Sequence, residues 1–254
     1  MNVRTDIEFR DGKIRPTNQG DHRFDLPEFK KPEALQAGWF EGLKRDAGKL
    51  ADDYALRAAE RTHNAMAESW NRLEKVRGHQ DPAHTQHRHL SDLSTAAQRA
   101  LTQHGQAADS ARQSINSRKA ELHREFKQHL NYNSAHAAEI RAVLRGMDDK
   151  QRSDAINKAV VAGDGSVLAA ALDAHPLLSG LNPEMQRAYE RQAMDIHFTP
   201  GLQLMDALGK ADEVLNNASL AMWTSIDDLS AKSVLQKHES AAVAAREARQ
   251  ALEA

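Results

Sequence analysis

The chain has 254 residues and a formal net charge of −2, so its overall charge gives no drive toward nucleic acid or an anionic membrane. It contains no cysteine, which excludes a disulfide framework, a thiol nucleophile and a thiolate metal site. The first residues lack the apolar stretch of a signal peptide, and no apolar run approaches the length of a membrane span. We therefore expect a protein that is made in a cytoplasm and has no membrane partner.

Residues 1–31 are predicted to form an extended N-terminal arm, because Pro16 and Pro27 interrupt any helical period. Apolar residues on both sides of Asp11-Gly12 indicate a small hairpin, since this dipeptide suits the positive φ of a tight turn. The alternative is a disordered tail. We expect the arm to dock on a neighbouring subunit through five apolar residues: Ile7, Phe9, Phe24, Leu26 and Phe29.

Apolar or small side chains then recur every three or four residues from Pro32 to Arg77, the spacing of one helical face. This pattern predicts one long helix, with Pro32 in its first turn. Gly38, Gly42 and Gly48 lie inside the pattern, and each is unfavourable within a helix. They indicate a close helical neighbour, a bend or a late helix start.

A second helix is predicted to follow after a short connection, with Asp81 as its N-cap and Pro82 as its first residue, and to run to Leu130. Because the connection is short, the two helices should be antiparallel neighbours in a long αα-hairpin over residues 32–133. We expect four residues near its tip to lie close together: Trp70, Leu73, Leu90 and Leu93.

Residues 134–198 are predicted to form a compact cluster of short helices. Helix starts are expected at four polar residues: Ser134, Asp148, Ser166 and Asn182. Asp148 and Gln151 have the spacing of a capping box, and Gly146 and Gly163 are natural helix ends.

Thr199-Pro200 is predicted to begin a third long, C-terminal helix over residues 199–254. Its apolar stripe changes phase after Leu229 and continues close to a heptad step, as in a coiled coil, which indicates a kink or a change of partner. Residues 240–254 are rich in alanine and alternating charge. They form either a solvated helix end or a seam with another copy. The predicted fold is thus all-α, with a long antiparallel hairpin, a short-helix cluster and a long C-terminal helix.

The sharpest candidate for chemistry is a histidine tract formed by His79, His84, His87 and His89, with His63 as a further neighbour. Imidazoles bind Zn²⁺ or Ni²⁺. His84 and His87 share a helical face, but His89 lies well round the cylinder, so these ligands are not expected to converge. We predict no metal site, and metal binding by the tract stays open as an alternative.

Three Asp-Asp pairs occur along the chain, Asp52-Asp53, Asp148-Asp149 and Asp227-Asp228, and they are interpreted as helix caps or solvated faces. Gly163-Asp164-Gly165 lacks the Lys-Ser/Thr of a phosphate-binding loop. Basic residues such as Arg118-Lys119 lack interleaved aromatic residues, so specific nucleic-acid binding is not expected. We assign no catalytic residue and no cofactor, and we expect a protein that is not an enzyme.

Residues 134–195 carry three motifs: the helix EIRAVLRGM, the turn and helix AGDGSVLAAAL, and the connection HPLLSGLNPEMQ. Over residues 134–195, about a quarter of the chain, the sequence resembles α-helical virion-associated structural proteins of tailed bacteriophages. The resemblance implies a structural component of the virion that is present in several copies. It implies no catalytic residue.

Two main hypotheses of function follow. The first is a non-enzymatic phage structural or assembly protein, made in the host cytoplasm, that binds copies of itself and a capsid, portal or tail protein. It would serve as a helical connector, spacer or internal scaffold in the virion. The second is a cytoplasmic bacterial adaptor or regulator that binds one helical partner. A metal-dependent enzyme that uses the histidine tract is a weaker third hypothesis.

Overall fold

A computed structural model describes residues 7–10, 13–16, 23–81 and 83–253. Within these ranges the protein is all-α, as predicted, together with a two-stranded hairpin. Strands β1 (Ile7–Arg10) and β2 (Lys13–Pro16) pair antiparallel, and this confirms the expected hairpin. The Asp11-Gly12 turn lies outside the described residues.

A short 3₁₀ turn at Glu33–Leu35 precedes the helices. In chain order the helices are α1 (Trp39–Ala47), α2 (Tyr54–Gly78), α3 (Gln86–His129), α4 (Ala137–Gly146), α5 (Asp149–Ala162), α6 (Gly165–Leu172), α7 (Pro176–Ser179), α8 (Pro183–His197), α9 (Thr199–Leu229) and α10 (Lys232–Glu253). No helix in the described part of the chain is long and apolar enough to span a bilayer.

The expectation of one continuous helix from Pro32 to Arg77 is wrong. The chain enters α1 at Gly38 with φ of +99° and leaves it at Gly48 with φ of +56°, conformations that glycine adopts readily. Helix α2 begins only at Tyr54, where the Asp53 carboxylate accepts a hydrogen bond from the Ala55 N–H at 2.9 Å. Two of the three glycines therefore mark helix ends.

Helices α2 and α3 form the predicted antiparallel hairpin, but α3 begins at Gln86, about one turn later than expected. Asp81 accepts a hydrogen bond from the Ala83 N–H at 2.8 Å and forms a local turn instead of the helix cap. Thr85 takes that role, because its hydroxyl accepts from the Arg88 N–H at 3.2 Å. The four tip residues share one buried core, as predicted: Trp70, Leu73, Leu90 and Leu93.

The chain divides into two compact units, which we describe separately. Unit 1 comprises Met1–Ala37, Thr62–Asp109 and Leu215–Ala254, and unit 2 comprises Gly38–Arg61 and Ser110–Val214. The core of unit 1 is aliphatic around one fully buried indole, and its members include Leu35, Met66, Trp70, Leu90, Met222, Leu229 and Val234. The core of unit 2 includes Phe126, Leu144, Ile156, Leu168, Tyr189 and Met194.

Most of the predicted helix starts and ends in the short-helix cluster are confirmed. Asp148 and Gln151 form a reciprocal capping box, and Gly163 ends α5 in the left-handed conformation. Asn182 caps α8 by accepting from the Met185 N–H at 2.7 Å. Helix α6 is capped by Asp164 and not by Ser166.

Helix α4 begins after His136 and has no side-chain cap, so Ser134 does not start it. The expected C-terminal helix is in fact two helices. Helix α9 ends at Leu229, Ala231 has φ of +49°, and α10 begins at Lys232. The phase change in the apolar stripe therefore corresponds to a true break.

Candidate partner-binding surfaces

Residues 23–35, here called the arm segment, lie against the core of unit 1. Leu35 is fully buried, and Phe24 and Phe29 are partly buried against the same core. The Phe29 ring lies 5.8 Å from the Trp70 ring, measured between centroids. The arm segment thus covers apolar surface that would otherwise face water.

Arg77 is the most connected of the side chains that hold the arm segment. Its guanidinium donates to the carbonyl oxygens of Asp228 at 2.8 Å and Leu229 at 3.1 Å, and also to that of Pro27. Its central carbon lies 5.3 Å from the centroid of the Phe29 ring. Two of these carbonyls belong to the last turn of α9, where the helix dipole favours a cation. Burial lowers the pKa of Arg77, and the charge of Asp228 opposes this shift.

Gln86 pairs with the backbone of the arm segment in the manner of a neighbouring strand. The Phe24 N–H donates to the side-chain oxygen of Gln86 at 2.8 Å, and the side-chain nitrogen of Gln86 donates to the Phe24 carbonyl at 2.8 Å. The Nε2 atom of His238 lies 2.8 Å from the same amide oxygen and is therefore the donor. The rings of His238 and Phe24 meet edge to face at 4.8 Å between centroids.

Two further bonds fix the later part of the arm segment. Buried His63 donates from Nε2 to the Ala34 carbonyl at 2.9 Å, and Lys31 donates to the Asn71 side-chain oxygen at 2.7 Å. We call the surface that receives the arm segment the arm groove, defined by His63, Trp70, Asn71, Arg77, Gln86 and His238. Its polar groups bind mainly backbone carbonyls, and its apolar floor receives phenyl rings.

The five residues predicted to contact a partner have different positions. Phe24 and Phe29 contact their own chain, so they have less free surface than expected. Leu26 is 37% exposed. Ile7 and Phe9 lie in β1. A partner-binding role for these residues stays a prediction.

The histidines of the predicted tract have separate environments. His79 is exposed, and its Nδ1 atom lies 2.9 Å from the Lys75 carbonyl oxygen. The rings of His87 and His238 meet edge to face at 5.9 Å between centroids. His89 is buried. Among the residues that the structure describes, no three His, Asp or Glu side chains converge in a group that could hold a metal ion. His63, named from the sequence as a further neighbour of the tract, instead bonds to the Ala34 carbonyl.

The most deeply placed carboxylate of the three pairs belongs to an ion cluster in unit 2. Asp53 has a side chain only 6% exposed and accepts from Arg118 at 2.8 Å. Arg118 also contacts Glu121 at 3.2 Å and Glu125 at 2.6 Å. Burial would lower the pKa of Arg118, but its hydrogen bonds to Glu125 and Asp53 outweigh this effect and raise it. These contacts tie the start of α2 to α3 and indicate a structural role.

Unit 2 carries an apolar groove on its short helices, of about 340 Å³, which we call the short-helix groove. It is lined by Glu139, Ile140, Val143, Leu144, Met147, Ala155 and Val167. Val143 is 59% exposed although it lies beside buried Leu144. A groove with one carboxylate and an apolar floor can receive the apolar face of a short helix.

The last part of α10 is a second exposed helical surface, in unit 1. Residues 239–252, here called the tail helix, are exposed at every position. Val243 and Leu252 are 46% and 87% exposed. Alanine, glutamate and arginine favour helix formation, so this segment has high propensity and little packing of its own.

The chain matches no protein-family model, and no curated protein or solved structure is significantly similar to it. The main contacts of the arm groove were not expected from sequence. In the sequence, nothing distinguishes Arg77 and Gln86 from other polar residues at helix ends. Their partners are distant in the chain. The signal available in the sequence was a set of apolar residues, Phe24, Leu26 and Phe29, among the charged residues of this segment.

Proposed function

We propose that this protein is a non-enzymatic structural or assembly component of a bacteriophage particle. It acts as a helical connector, spacer or internal scaffold that binds copies of itself and a capsid, portal or tail protein. It is made in the host cytoplasm and becomes part of the virion. The resemblance of residues 134–195 to virion-associated helical proteins supports the choice of a phage particle.

The observation that carries the assembly role is the tail helix. Fourteen consecutive residues, 239–252, are helical and exposed at every position. The segment continues α10 beyond its packed first turns, so helix propensity alone, without tertiary contacts, keeps it helical. Docking on another subunit through one face of this helix, such as the face shared by Ala245 and Leu252, would bury exposed apolar side chains and stabilise the segment.

Incorporation into particles tests this role directly. Epitope-tagged full-length protein and a variant that ends at Glu239 are produced in an infected host, and gradient-purified particles are probed for the tag. We expect the full-length protein in the particles and a clear loss of the truncated variant. A third variant, Val143→Ala, leaves the tail helix intact and controls for the tag and for expression. Absence of the full-length protein from particles contradicts the proposal.

The short-helix groove favours a second candidate function, a cytoplasmic adaptor for one helical partner. In that case Val143→Asp, which places a charge on the groove, should abolish capture of a host protein, and removal of the tail helix should have no effect. The assembly role predicts the opposite for particle incorporation, which removal of the tail helix should reduce and Val143→Asp should leave unchanged.

A further inference from the structure

The arm groove recognises features that any copy of this chain can supply. Arg77 and His63 bind the backbone carbonyls of Pro27 and Ala34, and Gln86 binds both backbone groups of Phe24. These bonds depend on the arm segment and not on its covalent connection to the groove. The arm segment of a second copy would make identical contacts.

The chain that follows the arm segment is suited to a change of direction. Gln36, Ala37 and Gly38 are exposed, and Gly38 has φ of +99°. A Cβ atom at Gly38 would meet nothing within 4 Å, so there is open space beside this residue. These three residues join the arm segment of unit 1 to α1 of unit 2. Because all three residues are exposed, a change in their own backbone angles uncovers none of their side chains from a core.

We propose that in the assembled state the arm segment of one copy occupies the arm groove of a neighbouring copy. This exchange rests on the assembly role proposed above and gives that role a specific contact. An exchanged arm keeps all the bonds of the arm groove, so only the hinge conformation and the entropy of association differ between the two arrangements. The partner is therefore a second copy of this chain.

Concentration determines which arrangement is populated. A tethered segment meets its own groove at an effective concentration on the order of millimolar for a short linker. In dilute solution the arm segment stays on its own chain. In an assembly the local concentration of subunits reaches a similar value, so the groove of a neighbouring copy competes equally for the arm segment.

Cysteine cross-linking tests the exchange, because the natural chain has no cysteine. Lys31→Cys and Asn71→Cys replace two side chains that touch at 2.7 Å, one on the arm segment and one in the arm groove. The two single variants are unfolded in urea, mixed, refolded together at high concentration and treated with a short bismaleimide. A mixture of Lys31→Cys and Gln98→Cys, whose second site is exposed on α3, measures collisional background.

We expect several-fold more interchain product from the Lys31/Asn71 mixture than from the control, and Phe29→Ala should reduce it. At low concentration the double variant should cross-link within one chain. Exchange is overturned if the concentrated mixture gives no more product than the control while the double variant still cross-links internally. Particles that contain the protein without interchain product refute the exchange alone, whereas absence from particles refutes the proposed function.

Discussion

Replacement of Arg77 by methionine should destabilise unit 1 and loosen the arm segment. Methionine keeps an unbranched apolar side chain but removes the three hydrogen bonds to carbonyl oxygens and the contact with the Phe29 ring. The Leu229 carbonyl lies in a buried contact, so it would be left without this donor.

The size of the effect follows from these contacts. A buried acceptor without a partner costs about 1–3 kcal/mol, and loss of the cation–π contact adds about 0.5–1 kcal/mol. The carbonyls of Pro27 and Asp228 are only partly buried and can bind water instead. Release of the guanidinium from a desolvated position offsets part of the loss. We expect a net decrease of about 2–3 kcal/mol in the free energy of unfolding.

Urea unfolding followed by tryptophan fluorescence measures this decrease. Trp39→Phe and Trp223→Phe remove two exposed indoles, so that Trp70, 5.8 Å from Phe29, reports on unit 1. The matched control is Arg72→Met on the same helix, whose side chain is 79% exposed and pairs with Glu68. That pair is worth about 0–1 kcal/mol. Equal stability of the two variants would refute the stabilising role assigned to the Arg77 contacts.

Three further predictions concern single residues. Gly165→Ala should destabilise unit 2 strongly in thermal unfolding, because its Cβ would lie 2.0 Å from the Leu130 carbonyl oxygen, whereas Gly146→Ala, with open space, should be neutral or stabilising. Tyr132→Phe should raise the urea midpoint by removing a buried hydroxyl that has no protein partner among the described residues. Burial lowers the pKa of His104 below 6.5, so the unfolded chain binds its proton more readily and stability falls as pH drops through 6.5. His104→Gln should flatten that pH dependence of the urea midpoint, and an unchanged slope would contradict the assignment.

Local signals in the sequence predicted local structure well. The Asp148–Gln151 capping box, the left-handed Gly163 and the Asn182 cap depend on residues within a few positions of one another. The same kind of reasoning was wrong for Asp81, because Asn, Asp and Thr side chains can form either a turn or a helix cap, and Thr85 provides the cap here.

Positive φ values explain the other errors in the helices. An apolar period continues across Gly38 and Gly48, so the sequence pattern does not show that the backbone leaves the helix at these residues. At Ala231 the break falls on a residue with a side chain, and alanine gives no signal of a left-handed conformation. Only the change of phase after Leu229 indicated it.

The candidate surfaces were less predictable because their contacts are distant in sequence. Phe24 and Gln86 are separated by 62 positions, and Arg77 and Asp228 by 151. The local patterns of a single sequence do not indicate which of such distant residues contact one another. The apolar character of the arm was recognised correctly, but the surface against which it packs in the structure is that of its own chain.

The central claim is that the protein acts through association of its copies, and sedimentation equilibrium of the full-length chain tests it most directly. Over a wide concentration series we predict a weight-average mass that rises above the 28.2 kDa of one chain, and a smaller rise for the variant that ends at Glu239. A mass that stays at 28.2 kDa at the highest concentration, for both proteins, would contradict the account.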